Sequence, residues 1–403
     1  MNKVILINGF DKRFDPVTGT VRATFSIVSE LLPSELWFEV KETYAEFISD
    51  QWDAALIALL APAMALGHSI KIEGQVSAQL LSQVSSDVMT ILGIITNYPA
   101  TEISCQSLHN VSEWQSTGNN VTGFSGGVDS YSILKGYYYE KNETDRSRIT
   151  HLIFNNIGAN GSIEETELYS TRLDNSIQAA AEIGLPLISI NSNMDAFYRP
   201  IADLHFSKTH TIRNAAVAHL LAKGIDNYYY ASAYSYDQIG VKPSEYIAYS
   251  DPILLPKLST RQLNIIATDT ALTRVDKLVK ISHLKVARAH LNVCVSHHSA
   301  DNCSACQKCV RTMLALDVIG TLNLFSDSFN ISDYLYNKEK YLVQCLTSDK
   351  IFDQDIKRTI VALKYKIPCR VLLIAKIKQA ITLISTFPYS MGKKLRHLKR
   401  SIS

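Results

Sequence analysis

The stretch Asn119-Asn120-Val121-Thr122-Gly123-Phe124-Ser125-Gly126-Gly127-Val128-Asp129-Ser130-Tyr131-Ser132-Ile133-Leu134-Lys135 decides the fold. Val121–Phe124 is a short apolar strand. Ser125-Gly126-Gly127 is a tight turn, and Val128 onward opens a helix. A turn of this kind aims successive backbone N–H groups and the positive helix end at one spot, which suits a phosphate. No Gly-Lys-Ser/Thr follows, so it is not a Walker loop.

Working outward, Thr150–Asn155, Leu187–Asn191 and Tyr228–Ala233 are apolar runs of the parallel-strand type. Helical stretches alternate with them. Glu164–Ile183 ends at Gly184 and Thr211–Lys223 ends at Gly224, both residues suited to helix C-termini. The pattern predicts an α/β, doubly wound, Rossmann-like parallel sheet over 116–325, with its ligand at the carboxyl ends of the strands.

Residues 1–115 read as an N-terminal α+β domain. Strands are expected at Val4–Asn8, Leu36–Val40 and Ile70–Gly74, and helices at Tyr44–Leu66 and Ser77–Leu92. Residues 326–403 read as a helical, basic C-terminal extension. The length of 403 residues accommodates two or three domains. No run of about 18 uninterrupted apolar residues predicts a membrane span.

The net charge of +2 conceals an asymmetry. Residues 356–403 hold 12 of the 40 Lys+Arg and no acid, leaving 28 against 38 Asp+Glu in the first 355, a net of −10. The tail, with apolar Val371–Phe387 followed by Lys393, Lys394, Arg396, Lys399 and Arg400, suits either an anionic membrane surface or an acidic protein surface. A homodimer is compatible with the second.

Cys294, Cys303, Cys306 and Cys309 are spaced C-x8-C-x2-C-x2-C. Two Cys-x-x-Cys steps and one further thiolate make a tetrahedral S4 site for Zn²⁺. Redox-active thiols, an iron–sulfur cluster, unligated cysteines and replacement of one ligand by His297 or His298 are the competing readings. The opening Met1-Asn2-Lys3-Val4-Ile5-Leu6 lacks a signal-peptide pattern, so a reducing, cytoplasmic setting is expected.

Ser125-Gly126-Gly127-Val128-Asp129-Ser130 resembles the SGGxDS signature of the PP-loop ATP pyrophosphatases. The resemblance implies the PP-loop (HUP) type of sheet and cleavage of ATP between the α and β phosphates, leaving AMP on a substrate oxygen. Gly126 and Gly127 would let the backbone approach pyrophosphate. Ser125 and Ser130 would donate hydroxyls, and Asp129 would hold Mg²⁺. Position 2 is Asn, so the Cys-nucleophile glutaminase domain of asparagine synthetases is not expected.

The cysteine run after such a loop is similar to that of 7-cyano-7-deazaguanine synthases. Arg213-Asn214 resembles their Gly-Arg-Asn element, whose Arg approaches ATP, and Arg274-Val275-Asp276 resembles their Lys-Ala-Glu element. The resemblance covers roughly half the chain, 116–325. It implies ATP, Mg²⁺ and Zn²⁺ as cofactors. The expected catalytic set is Ser125, Asp129, Ser130, Arg213 and Arg274. The nucleotide-binding set is Phe124, Ser125, Gly126, Gly127, Val128, Asp129, Ser130, Phe154 and Arg213. The zinc ligands are Cys294, Cys303, Cys306 and Cys309.

The expected reaction joins a carboxylate or amide oxygen of a small-molecule or nucleobase-like acceptor to AMP, then replaces AMP by ammonia or an amine. Tyr249-Ser250-Asp251-Pro252 is a candidate acceptor contact, and Lys208 and His210 are candidates to face the phosphates. Sulfur transfer to tRNA is an alternative, although the acidic body disfavours a nucleic-acid partner. A non-catalytic ATP-binding subunit is another.

Overall fold

The computed structural model describes residues 3–110, 115–159, 166–296 and 300–382. Met1, Asn2, His297, His298 and the basic cluster 393–400 lie outside the described residues, as do Glu164 and Phe387.

A long hairpin begins the chain, β1 (Val4–Asp15) and β2 (Thr20–Val28). Asp15 turns it. Its Oδ1 accepts the Val17 N–H at 2.8 Å, and Gly19 closes the turn at φ +63°. Every second residue of β2 is buried, from Val21 to Ile27, as a half-buried antiparallel strand requires. β3 (Glu35–Lys41), a 3₁₀ turn Glu42–Phe47 and α1 (Asp53–Leu66) follow. The expected helix Tyr44–Leu66 is thus broken in two. Then come β4 (Ser69–Ser77), α2 (Ala78–Gln83), α3 (Met89–Thr96) and β5 (Ile103–His109).

β6 (Asn120–Gly123), α4 (Val128–Leu134), β7 (His151–Asn156), α5 (Thr166–Ile183) and β8 (Leu187–Ser192) form the next stretch. α6 (Phe206–Leu220), β9 (Asn227–Ala231), α7 (Asp251–Leu254) and β10 (Asn264–Thr268) follow. The remainder is helical: α8 (Arg274–Ile281), α9 (Lys285–His290), α10 (Gln307–Val318), α11 (Ile331–Thr347), α12 (Ile351–Ala362) and a helix over 369–382.

All ten strands share one sheet, in the order β10-β9-β6-β7-β8-β3-β2-β1-β4-β5. The five strands β10 to β8 are parallel. From β6 the chain winds outward through β7 and β8, then returns to the other side for β9 and β10. The reversal places a crevice at the carboxyl ends of β6 and β9.

The boundary expected near residue 115 divides two halves of one sheet. β3 and β8 meet antiparallel, with Phe38 opposite Ser192. Side chains lengthen that short seam. Asn193 accepts the Trp37 N–H at 2.8 Å and donates to the Glu35 carbonyl at 2.7 Å, while Ser192 donates to the Trp37 carbonyl at 2.7 Å.

One core lies between the sheet, α1 and α6. α1 is buried from Asp53 to Met64, which explains why apolar residues occupy all its sides. The Tyr198 hydroxyl donates to its Ala58 carbonyl at 2.7 Å. Among the described residues one helical run, Ala78–Thr96, is long and apolar enough to cross a membrane. Its Leu80, Val84, Val88 and Leu92 are buried in this core. Gln79, Ser82, Gln83 and Asp87 interrupt it, so no unbroken apolar run marks it in the sequence.

The second core joins α4 and α5 to the C-terminal helices. Tyr131, Ile133, Leu314, Leu342, Val343 and Ile356 belong to it together. α11 and α12 are therefore packed parts of the parallel half. Only the helix over 369–382 stands proud, with Val371 and Ala375 buried.

Candidate functional site

β6 delivers the glycine turn to the crevice. Gly126 has φ +70°, a left-handed conformation that disfavours any side chain. Gly127 is the N-cap of α4, and a Cβ there would lie 3.4 Å from Ser125 Oγ. Ser130 Oγ, one turn into the helix, accepts the Ser125 N–H at 3.1 Å and lies 3.4 Å from Ser125 Oγ. The Gly126 carbonyl accepts the Asn292 N–H at 2.8 Å. Phe124 and Val128 point into the core, and the Phe124 ring meets Tyr131 edge-on.

Asp129 occupies the first turn of α4. Its Oδ1 is 2.9 Å from Lys277 Nζ and its Oδ2 is 2.9 Å from Arg274 Nη1. Both cations come from α8, at positions three apart and so on one helix face. A capping box starts that helix. Thr273 Oγ1 accepts the Asp276 N–H at 3.2 Å, and Asp276 Oδ2 accepts the Thr273 N–H at 2.9 Å. Asp276 is thereby a cap. The Lys277 side chain is fully buried and also donates to the Ser232 carbonyl.

Burial alone would raise the Asp129 carboxyl. The Arg274 and Lys277 charges outweigh it and hold the group below its usual value. Each Asp129 oxygen already carries a cation. A Mg²⁺ ion would find only the remaining lone pairs of this one carboxylate, which is a poor site without phosphate oxygens.

Arg213 is placed differently from the expectation. α6 begins at Phe206, so Arg213 sits two turns inside the helix and not in its opening turn. It is 1% exposed. Its donors go to Thr209 Oγ1 (2.9 Å), the Ile157 carbonyl (2.8 Å) and Asp195 Oδ1 (2.7 Å). The guanidinium lies 3.9 Å from the Tyr198 ring centroid. Gly158, at φ +110°, leaves room for it, since a Cβ there would collide with Arg213 Nη1. Arg213 thus fastens the chain leaving β7. Phe154 is buried on β7, its ring 5.9 Å from that of Tyr169. Lys208 is buried and pairs with Asp203 (2.6 Å) and Glu245 (3.2 Å).

Asp251 heads α7 and is completely buried. Thr211 Oγ1 donates to its Oδ1 at 2.7 Å, and its Oδ2 has no hydrogen-bond partner among the described residues. Burial pushes this carboxyl well above its usual value, with Asp129 adding to the effect. His210 Nδ1 is 2.8 Å from the Tyr230 hydroxyl. Burial, then Arg213 and Lys308, lowers His210 to about 4, so the imidazole is neutral.

The four cysteine sulfurs lie within 4.8 Å of one another. Cys294 and Cys306 Sγ are 4.0 Å apart, Cys306 and Cys309 Sγ 3.5 Å. Tetrahedral Zn–S bonds of ~2.3 Å place sulfurs about 3.8 Å apart, so the cluster fits such a metal. Backbone N–H groups aim at the sulfurs, as from Ser296 to Cys294 (3.3 Å) and Cys306 to Cys303 (3.2 Å). Burial raises the Cys306 thiol, but the N–H groups of Cys309 and Val295 bring it down to about 7. Asn302 stitches the loop, accepting the Val293 N–H at 2.8 Å and donating to the Leu291 carbonyl at 2.6 Å.

Cys306 is the N-cap of α10, and that helix carries Lys308 and Arg311. The Arg311 and Arg274 guanidinium carbons lie 4.4 and 5.1 Å from one Phe352 ring centroid. Phe352 stacks in turn on Tyr234 at 5.3 Å, and Tyr234 on Tyr249 at 4.0 Å. Sequence reasoning missed Lys277, Lys308, Arg311 and Phe352 as parts of the site. Lys277 left a sequence signal in its spacing of three from Arg274, as did Lys308 and Arg311, spaced three apart behind Cys306; Phe352 left none.

No family model, curated protein or solved structure matches this chain.

Proposed function

We propose that the chain is an ATP-dependent adenylating ligase, which splits ATP into AMP and pyrophosphate and uses the adenylate to form a C–N bond. The observation that carries this reading is the position of Asp129. It follows a double-glycine turn, left-handed at Gly126, at the reversal point in the parallel half of the sheet, and is met by Arg274 and Lys277. In this reading the Ser125–Ser130 turn holds the phosphates, and Arg274 neutralises charge that develops as the α–β bridge breaks. Mg²⁺ would be bound chiefly by the phosphates, with Asp129 contributing one oxygen.

An acceptor carboxylate or amide oxygen attacks the α-phosphorus, and pyrophosphate departs with the bridging oxygen. Ammonia or an amine then attacks the activated carbon and AMP leaves. Positioning and preorganised charge supply the rate. Zinc in a closed four-sulfur site has no open position for substrate, so its role is structural. A closed site would also leave none of the four clustered thiols for sulfur transfer.

The test is release of AMP and pyrophosphate from ATP and Mg²⁺ with pooled small-molecule acids and ammonium. AMP formation by the wild type, abolished in Asp129→Ala, supports the reading. ADP formation, or AMP formation that survives Asp129→Ala, refutes it.

A further inference from the structure

We infer that Arg274, Lys308 and Arg311 form a receptor for a multiply charged phosphate, and that metal in the cysteine cluster keeps two of the three in place. The inference deepens the adenylation reading and rests on it only for the identity of the natural anion.

Cations outnumber the acids around them. Lys308, exposed on α10, is within electrostatic reach of Asp129, Arg274, Arg311 and the Cys306 sulfur, which also faces Arg311. Asp129 is the carboxylate among them, and its two oxygens are taken by Arg274 and Lys277. Neither Lys308 nor Arg311 makes a hydrogen bond or ion pair among the described residues. Asp353, the next acid towards Arg311, turns its Oδ2 to Ser348 Oγ at 2.5 Å. Arg274 Nε is buried without a hydrogen-bond partner among the described residues. Two guanidinium groups share one Phe352 ring, which brings like charges together where repulsion opposes it. An oxyanion between them would satisfy the free donors and cancel the repulsion. Several donors from two helices suit an anion with more than one charge, such as pyrophosphate.

The cysteine cluster fixes the geometry. Lys308 lies between Cys306 and Cys309, and Arg311 is three residues after Lys308, on the same helix face. Cys306 caps α10 by accepting the Cys309 N–H. A metal on these sulfurs therefore sets where both cations project.

The experiment is titration of the full-length, zinc-loaded protein with inorganic pyrophosphate by calorimetry, without ATP. Lys308→Gln and Arg311→Gln should each weaken binding by about tenfold or more, as loss of a charge-assisted contact does. Lys338→Gln, remote from the cluster and paired with Asp317, should leave it unchanged. Cys303→Ser should lose zinc and lower the affinity to a similar extent, with near-native circular dichroism. Wild-type affinity in both Lys308→Gln and Arg311→Gln overturns the receptor. Loss of zinc with unchanged affinity overturns the metal linkage. Pyrophosphate binding that depends on these residues, in a protein that never forms AMP, sinks the ligase reading and leaves the receptor standing.

Discussion

The Asn292 N–H donates to the Gly126 carbonyl at 2.8 Å, tying the glycine turn to the segment that leads into the cysteine cluster. Asn292 Oδ1 also accepts the Cys294 N–H at 3.2 Å. One residue therefore touches both the candidate phosphate loop and the first metal ligand.

That link predicts a shared dependence on metal. Cys306→Ser should abolish stoichiometric zinc, measured by elemental analysis. Amide exchange should then rise in 125–127 as well as in α10. Loss of protection confined to the cysteine loop would contradict it. Thiolates are required for binding, so zinc should be released as the pH falls below about 6.

Asp129 and Lys277 predict a stability effect that can be separated from activity. Asp129→Ala leaves a buried ammonium without its carboxylate and should cost about 3 kcal/mol in urea unfolding. Adding Lys277→Met should restore most of that loss without restoring AMP formation. No stability recovery in the double variant would show that the pair is not the cause. The folded carboxyl is held below its usual value, so its contribution is present above about pH 4 and is lost as the pH falls further.

Asp251 carries the opposite sign. Its folded carboxyl is raised, so the native state holds a proton that the unfolded chain releases above about pH 4. Its stabilisation is complete below that pH and is lost as the pH rises towards the folded value. Asp251→Asn keeps an acceptor for Thr211 and does not titrate. Melting temperatures of the variant should gain on the wild type between pH 4 and 8. Parallel profiles would argue against a protonated Asp251.

Arg213 should behave as a structural residue. Arg213→Lys keeps one charge but loses the stacked guanidinium and most of its donors, and should cost about 3 kcal/mol. Gly158→Ala places a Cβ against Arg213 Nη1 and Asp195 Oδ1 at a positive φ and should destabilise by a comparable amount. Thermal melts of the two single variants and the double variant test their coupling. Simple additivity would refute the contact.

In the parallel half, β6 to β9 were legible because they read as apolar runs, whereas β10, which opens on the exposed Asn264, was not expected. The β1–β2 hairpin was partly missed although Thr20–Val28 alternates apolar and polar residues as a strand does, because its turn carries no Asn-Gly pair to mark it. Arg213 was misplaced because nothing in Phe206–His210 marks a helix start as strongly as its neighbours suggested. The α6 boundary is set by packing.

By itself, the sequence determined the glycine turn, the cysteine spacing and the strand–helix alternation from β6 to β9, because each depends on local backbone demands or short-range periodicity. Only the tertiary structure decided that the two halves share one sheet, that Arg213 faces inward, and that Lys308 and Arg311 stand beside Arg274 and Asp129. Those meetings join residues from 18 positions apart (Arg213 and Asp195) to 182 (Asp129 and Arg311), and the longer of them are governed by which buried faces and polar seams fit together, not by any local pattern.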